Sequence, residues 1–71
     1  MKYHLHEEGN GVHPLATQDL ADDFAAERWA KDWAASRDGA TDAFRLARED
    51  NRFAMRVFRT KAGQWYMTPV P

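Results

Sequence analysis

Hydrophobic and polar residues alternate through the C-terminal part of the chain, which reads AFRLAREDNRFAMRVFRTKAGQWYMTPV from residue 43 to residue 70. Because successive side chains of a strand point to opposite faces, this alternation predicts three strands, at 43–49, 52–60 and 64–70. Asp50 and Asn51 both tolerate positive φ, which is typical of a two-residue hairpin turn. The sequence Lys61-Ala62-Gly63 predicts a three-residue loop with glycine in the left-handed position.

The two turns assign each side chain of this antiparallel meander to one of two faces. They place Arg45 opposite Arg56, and Phe58 opposite Tyr66. One face is almost entirely apolar and is the predicted core face: Phe44, Leu46, Phe53, Met55, Val57, Trp65 and Met67. The other face combines arginine with aromatic rings: Arg45, Ala47, Ala54, Arg56, Phe58, Tyr66 and Thr68. Pro69 and Pro71 fall at positions that need no ladder hydrogen bond, so the last strand is a predicted sheet edge.

The N-terminal part predicts a strand and a helix. Residues 2–7 alternate, with His4 and His6 on one side of a first strand. The helix is predicted over 18–36, with Thr17 as N-cap and Gly39 as C-cap. Its predicted packing stripe has four members at a spacing of four residues: Ala21, Ala25, Trp29 and Trp33. Leu20 and Phe24 form a neighbouring stripe, and a single sheet face does not readily cover both.

These elements predict an α+β fold for residues 1–71, a single small domain with one helix on one face of a mainly antiparallel sheet. The element order is β-α-β-β-β, in which the first strand runs parallel to the Phe44 strand if the two are neighbours. If Val12-His13 forms a return strand after the Gly9-Asn10-Gly11 turn, the order is ββ-α-βββ and the sheet is antiparallel throughout. Whether the first strand lies beside the Phe44 strand or the Trp65 strand stays open.

Composition narrows the functional classes. The chain has 71 residues and no cysteine, which suits a reducing cytoplasm, and no apolar run long enough to span a membrane. Its charge is segregated: residues 1–44 carry four Lys/Arg and nine Asp/Glu, whereas residues 45–71 carry six and two. Such asymmetry is compatible with a polar partner surface and equally with an ordinary solvated charge mix.

Candidate catalytic chemistry is sparse. His4, His6 and His13 have an H-x-H spacing that can chelate a metal on a strand, but no orienting carboxylate can be assigned, so no metal or other cofactor is predicted. The single serine, Ser36, is placed near a helix end without a base. The carboxylates of the helix are expected to be exposed, with ordinary pKa values. The sequence therefore predicts a protein that is not an enzyme.

The open face carries the functional prediction. Its candidate partner-binding residues are Arg45, Arg56, Phe58 and Tyr66, with His4 and His6 at the margin. Arginine and aromatic residues together are typical of protein interfaces and also of platforms for single-stranded nucleic acid. An isoelectric point near 6.3 favours a protein partner over a polyanion, with the chain a monomer or weak homodimer. Alternatively, the arginine stems simply cover the rings in solvent.

The chain resembles the anti-CRISPR proteins of phages and mobile elements in size, in element order and in a terminal hairpin with a G-x-W-like strand, here Gly63-Gln64-Trp65. The resemblance involves no functional residue. It implies a stoichiometric inhibitor in the host cytoplasm that binds a CRISPR effector complex and blocks DNA recognition or nuclease recruitment. A small module for single-stranded nucleic acid is the alternative.

Overall fold

The computed structural model describes residues 1–8, 13–36 and 42–70. They form a small α+β domain with one helix and a five-stranded antiparallel sheet. In chain order the elements are β1 (Lys2–Glu7), β2 (Ala16–Asp19), α1 (Asp23–Ser36), β3 (Ala43–Arg48), β4 (Ala54–Arg59) and β5 (Trp65–Pro69). The sheet order is β2-β1-β3-β4-β5. The predicted fold class is confirmed, in its ββ-α-βββ form.

The return strand lies later in the chain than the Val12-His13 dipeptide suggested. Thr17 pairs with His4 in β2, four residues beyond His13, while Val12 and the Gly9-Asn10-Gly11 turn lie outside the described residues. β1 lies beside β3 and runs antiparallel to it, with Leu5 opposite Leu46. The parallel arrangement is therefore wrong, because the β1–β2 hairpin reverses the chain before the helix begins.

The predicted register of the meander is confirmed, although the first turn differs from the prediction. Residue 51 alone of the two turn positions has positive φ, at 62°, so a two-residue turn is wrong. Arg48 and Phe53 instead close a four-residue loop, in which the Asp50 carboxylate accepts the Arg52 N–H at 2.9 Å. The second loop has Gly63 at φ 83°, as predicted.

Pro69 lies on the edge strand in the orientation that the alternation predicted. The next residue, Val70, donates its N–H to the carbonyl of Ala54 at 3.1 Å. Because N–H groups alternate in direction along a strand, the Pro69 nitrogen faces the open edge, where no ladder bond is lost. β5 is accordingly one edge of the sheet, and β2 is the other.

The helix begins at Asp23, so the prediction of a start at residue 18 with Thr17 as N-cap is wrong. Asp22 is the N-cap: its carboxylate accepts the Ala25 N–H at 2.8 Å. Thr17 is exposed on β2. Residues that suit a first helical turn are here held extended because β1 offers them backbone hydrogen bonds. The helix ends at Ser36, and Gly39 lies outside the described residues.

The stripe of α1 that meets the sheet is also one position away from the predicted one. It consists of three fully buried alanines, Ala26, Ala30 and Ala34, whereas Ala25 is half-buried. Alanine allows the helix backbone to approach the sheet closely, and Trp29 and Trp33 pack along the side of that contact. The Trp33 ring meets the Phe44 ring edge-on at 5.3 Å.

Most of the predicted core face is in place under the helix. Phe44, Leu46 and Val57 are buried, together with Tyr3 and Leu5 of β1. The other predicted members are partly buried against them: Phe53, Met55, Trp65 and Met67. The sheet face opposite the helix is therefore the one that carries Arg45 and Arg56.

A polar network fastens the helix N-terminus to the sheet at the border of this core. The buried Tyr3 hydroxyl donates to Asp23 at 2.6 Å, and the Arg48 guanidinium donates to both oxygens of Asp23 at 3.1 and 3.3 Å. Arg48 also donates to Asp50 at 2.8 Å, which lowers the pKa of that carboxyl. Burial, then the hydrogen bond to Asp23, raises the pKa of Tyr3. These contacts hold the first loop, the helix and β1 together.

Candidate partner-binding face

The open face is the side of the sheet turned away from α1. The strand registers place on it all six side chains that the sequence singled out: His4, His6, Arg45, Arg56, Phe58 and Tyr66. Four of the strands contribute one cross-strand row, in which His6 lies opposite Arg45, Arg45 opposite Arg56, and Arg56 opposite Thr68. The predicted shared face is thus confirmed, and its role in binding stays a prediction.

Arg56 is held by a carboxylate of the same face. Its Nε and Nη2 donate to Oε1 and Oε2 of Glu8, at 2.6 and 3.0 Å. The hydrogen bond from Arg56 lowers the pKa of Glu8 below its ordinary value. The same guanidinium lies over the Phe58 ring, 5.0 Å from its centroid, which is a cation–π distance. Arg56 is therefore neutralised and also shields part of Phe58.

Tyr66 is the exposed ring of the pair. It lies 6.2 Å from the Phe58 ring, with the planes tilted by 33°, and 48% of its surface is exposed, whereas Phe58 is half-buried. The Tyr66 hydroxyl donates to Gln64 Oε1 at 2.7 Å. Arg56 thus covers part of the Phe58 ring, as the alternative interpretation of this face predicted. The Tyr66 ring instead leaves a large apolar surface exposed to water.

Arg45 differs from Arg56 in having no counterion among the residues that the structure describes. It is exposed, and among residues 1–8, 13–36 and 42–70 it forms no ion pair. Arg45 and Arg56 line a shallow concavity of about 820 Å³, together with His6, Thr68 and the small side chain of Ala47. Like charges directly opposite each other destabilise a strand pair, and Glu8 relieves this for Arg56 alone.

The two histidines of β1 have different environments. His4 Nδ1 lies 2.9 Å from Thr17 Oγ1, whereas His6 Nδ1 is buried without a hydrogen-bond partner in the described part of the chain. Their rings are 6.3 Å apart. The described residues contain no group of three or more His, Cys, Asp or Glu side chains that could hold a metal ion.

Glu8 is the member of this face that the sequence analysis missed. The alternation that groups His4 with His6 also extends to Glu8, two residues further on. That signal was present in the sequence, but using it required knowing that the first strand lies beside β3. Because β1 lies beside β3, Glu8, which directly follows β1, reaches across β3 to Arg56 on β4.

No helix in the described ranges is long and apolar enough to cross a lipid bilayer. Comparisons with protein-family models, curated proteins and solved structures found no significant match to the chain.

Proposed function

We propose that this chain is a non-enzymatic binding protein that docks on a protein partner through the open face of its sheet. The observation that carries the proposal is a sheet face, left uncovered by α1, that presents both the exposed Tyr66 ring of β5 and the exposed guanidinium of Arg45 on β3. Tyrosine and arginine are enriched among residues that dominate interface energies, because each combines a large contact area with directional hydrogen bonding. The face supplies both within one sheet.

Charge favours a protein over a nucleic acid as the partner. The Arg56 guanidinium is already paired with Glu8, and the chain has a net charge of −1. A single-stranded nucleic acid brings a row of phosphates, and its binding depends on a continuous positive groove. A carboxylate beside Arg56 interrupts such a groove, whereas a protein partner with alternating charge is compatible with it.

A CRISPR effector complex is the first partner to test, and the proposed setting is the cytoplasm of a phage-infected host. This choice is based on the resemblance in size and element order to anti-CRISPR proteins. Such an inhibitor would occupy the effector stoichiometrically and block DNA recognition or nuclease recruitment. The contact surface would be the open face, since the core face is covered by α1.

The experiment compares two aromatic truncations on opposite sides of the molecule. Tyr66→Ala removes the exposed ring of the open face, and Phe24→Ala removes a ring of α1 that is 68% exposed on the helix side. Purified effector complexes are titrated with each variant, and Kd and target-DNA binding are measured. We expect Tyr66→Ala to cost about 2 kcal/mol, roughly 30-fold in Kd, and Phe24→Ala to be neutral.

Three results of this experiment would each contradict a different part of the proposal. Equal binding by Tyr66→Ala and the unaltered chain would refute docking through the open face. No binding to any effector complex would refute the anti-CRISPR assignment. Salt-sensitive binding to an oligothymidylate that Tyr66→Ala abolishes would favour the nucleic-acid module instead.

A further inference from the structure

The free guanidinium on the open face shows what kind of partner group the concavity accommodates. Arg45 and Arg56 are directly opposite each other on β3 and β4, yet within the described part of the chain only Arg56 of this pair has a carboxylate partner, Glu8. We propose that Arg45 is the receptor for a carboxylate side chain of an acidic segment in the protein partner. This inference is based on the proposed function, and it adds the chemistry of the group that is recognised.

The Arg56–Glu8 pair supplies the geometric precedent. There a glutamate accepts one hydrogen bond from Nε and one from Nη2 of the same guanidinium, the bidentate arrangement that arginine forms best with carboxylates. Arg45 presents the same group in the neighbouring strand, at the wall of an open concavity of about 820 Å³. A second carboxylate entering the concavity would relieve the like-charge contact between the two arginines.

Further polar groups surround that position. His6 and Thr68 lie at the two ends of the row that contains the arginines, and both line the concavity. The His6 Nδ1 atom is buried without a hydrogen-bond partner among the described residues. A carboxylate bound at Arg45 would therefore share the concavity with the His6 ring and Thr68.

The charges at the rim limit the ligand to a single anionic group at a time. The Glu8 carboxylate lies on the open face and lines the same concavity, so a second negative charge next to the first would be repelled. Adjacent phosphates of a nucleic acid strand bring such a second charge. An acidic protein segment avoids it, because neighbouring side chains of an extended segment point in opposite directions. The acidic segment is thus the favoured occupant.

The test uses two matched peptides as probes, acetyl-AAEFA-amide and acetyl-AAQFA-amide, which differ only in the charge of one side chain. Each is titrated at millimolar concentration into the isotope-labelled full chain, and amide and arginine Nε–Hε shifts are recorded by NMR. We expect the glutamate peptide to bind about tenfold more tightly than the glutamine peptide, as for a charge-assisted hydrogen bond. The shifts should follow the row from His6 to Thr68.

Three variants separate Arg45 from general electrostatics. Arg45→Gln should abolish the preference for the glutamate peptide, while Arg28→Gln, an exposed change of the same charge on α1, should retain it. Glu8→Gln should increase the affinity several-fold, because it removes a negative charge and frees Arg56. Cooperative thermal unfolding would show that the variants are folded, although Glu8→Gln is expected to melt at a lower temperature because it loses the pair with Arg56. Arg45→Lys, which keeps the charge without the planar fork, should bind with intermediate affinity.

The inference is overturned if the two peptides bind equally, if the glutamate peptide causes no shift at Arg45, or if Arg45→Gln keeps the preference. Stronger binding of an oligothymidylate than of the glutamate peptide also overturns it, in favour of nucleic acid. The loss of carboxylate binding at Arg45 can be distinguished from the loss of docking through the open face. A partner whose binding needs Tyr66 but tolerates Arg45→Gln would retain docking through the open face and refute the carboxylate receptor.

Discussion

The position of the alanine stripe on α1 leads to a matched pair of substitutions with opposite outcomes. Ala30 is fully buried against the sheet, so Ala30→Leu forces three additional carbon atoms into a closed contact. Overpacking of this kind costs about 1–3 kcal/mol. Ala25 belongs to the stripe that periodicity predicted but is half-buried, and Ala25→Leu should cost only about 0.2 kcal/mol through helix propensity.

The expected difference is large for a chain of this size. A protein of 71 residues has a free energy of unfolding of about 4–11 kcal/mol. For a domain this small, each kcal/mol changes the melting temperature by about 4–8 °C. We therefore expect Ala30→Leu to lower the melting temperature by about 8–16 °C for a 2 kcal/mol loss, with Ala25→Leu nearly unchanged. Thermal unfolding followed by circular dichroism at the helix band measures both.

If Ala25→Leu lowered the melting temperature more than Ala30→Leu did, this would refute the assignment of Ala26, Ala30 and Ala34 to the side of the helix that faces the sheet. It would mean that the stripe of Ala25, Trp29 and Trp33 faces the sheet. Equal, small effects in both variants would refute the close helix–sheet contact. A large effect at Ala30 alone would establish that the small side chains determine the approach of α1.

Two predictions concern pH. Arg56 lowers the pKa of Glu8, so the pair stabilises the fold above pH 4.5, the ordinary pKa of a Glu side chain, and this contribution is lost as the pH falls below that value. The unaltered chain should therefore melt at a higher temperature than Glu8→Gln at neutral pH, and the two melting temperatures should converge at low pH. A difference that persists at low pH would refute the pairing. The pKa of Tyr3 is raised by burial, so its contribution is present below about pH 10 and is lost as pH rises through the folded value. The Tyr66→Phe variant leaves Tyr3 as the only tyrosine, so the tyrosinate absorbance then reports on Tyr3 alone. This absorbance should increase only above the ordinary tyrosine pKa of about 10. Titration of Tyr3 at the ordinary pKa would refute the burial of its hydroxyl.

The sequence by itself determined the meander, its register and its two faces. A strand has a side-chain period of two, and a hairpin loop sets which residues face each other, so local information is sufficient from Ala43 to Pro69. Even the difference in the first loop left the faces unchanged, because a four-residue loop from Glu49 to Arg52 preserves the same pairing as a two-residue turn at Asp50-Asn51.

In the N-terminal half, contacts between distant residues determined the secondary structure of Ala16–Asp19, the face of α1 that packs on the sheet and the strand that lies beside β1. Ala16–Asp19 is compatible with helix or strand, and the hydrogen bonds offered by β1 decided for strand. Two neighbouring stripes of α1 fit the helical period equally well, and the need for close approach to the sheet selected the alanines. The placement of β1 beside β3 brought Glu8 to Arg56, while Arg45 has no counterion among the described residues. These outcomes depend on contacts between residues distant in sequence, whose energies no local pattern contains.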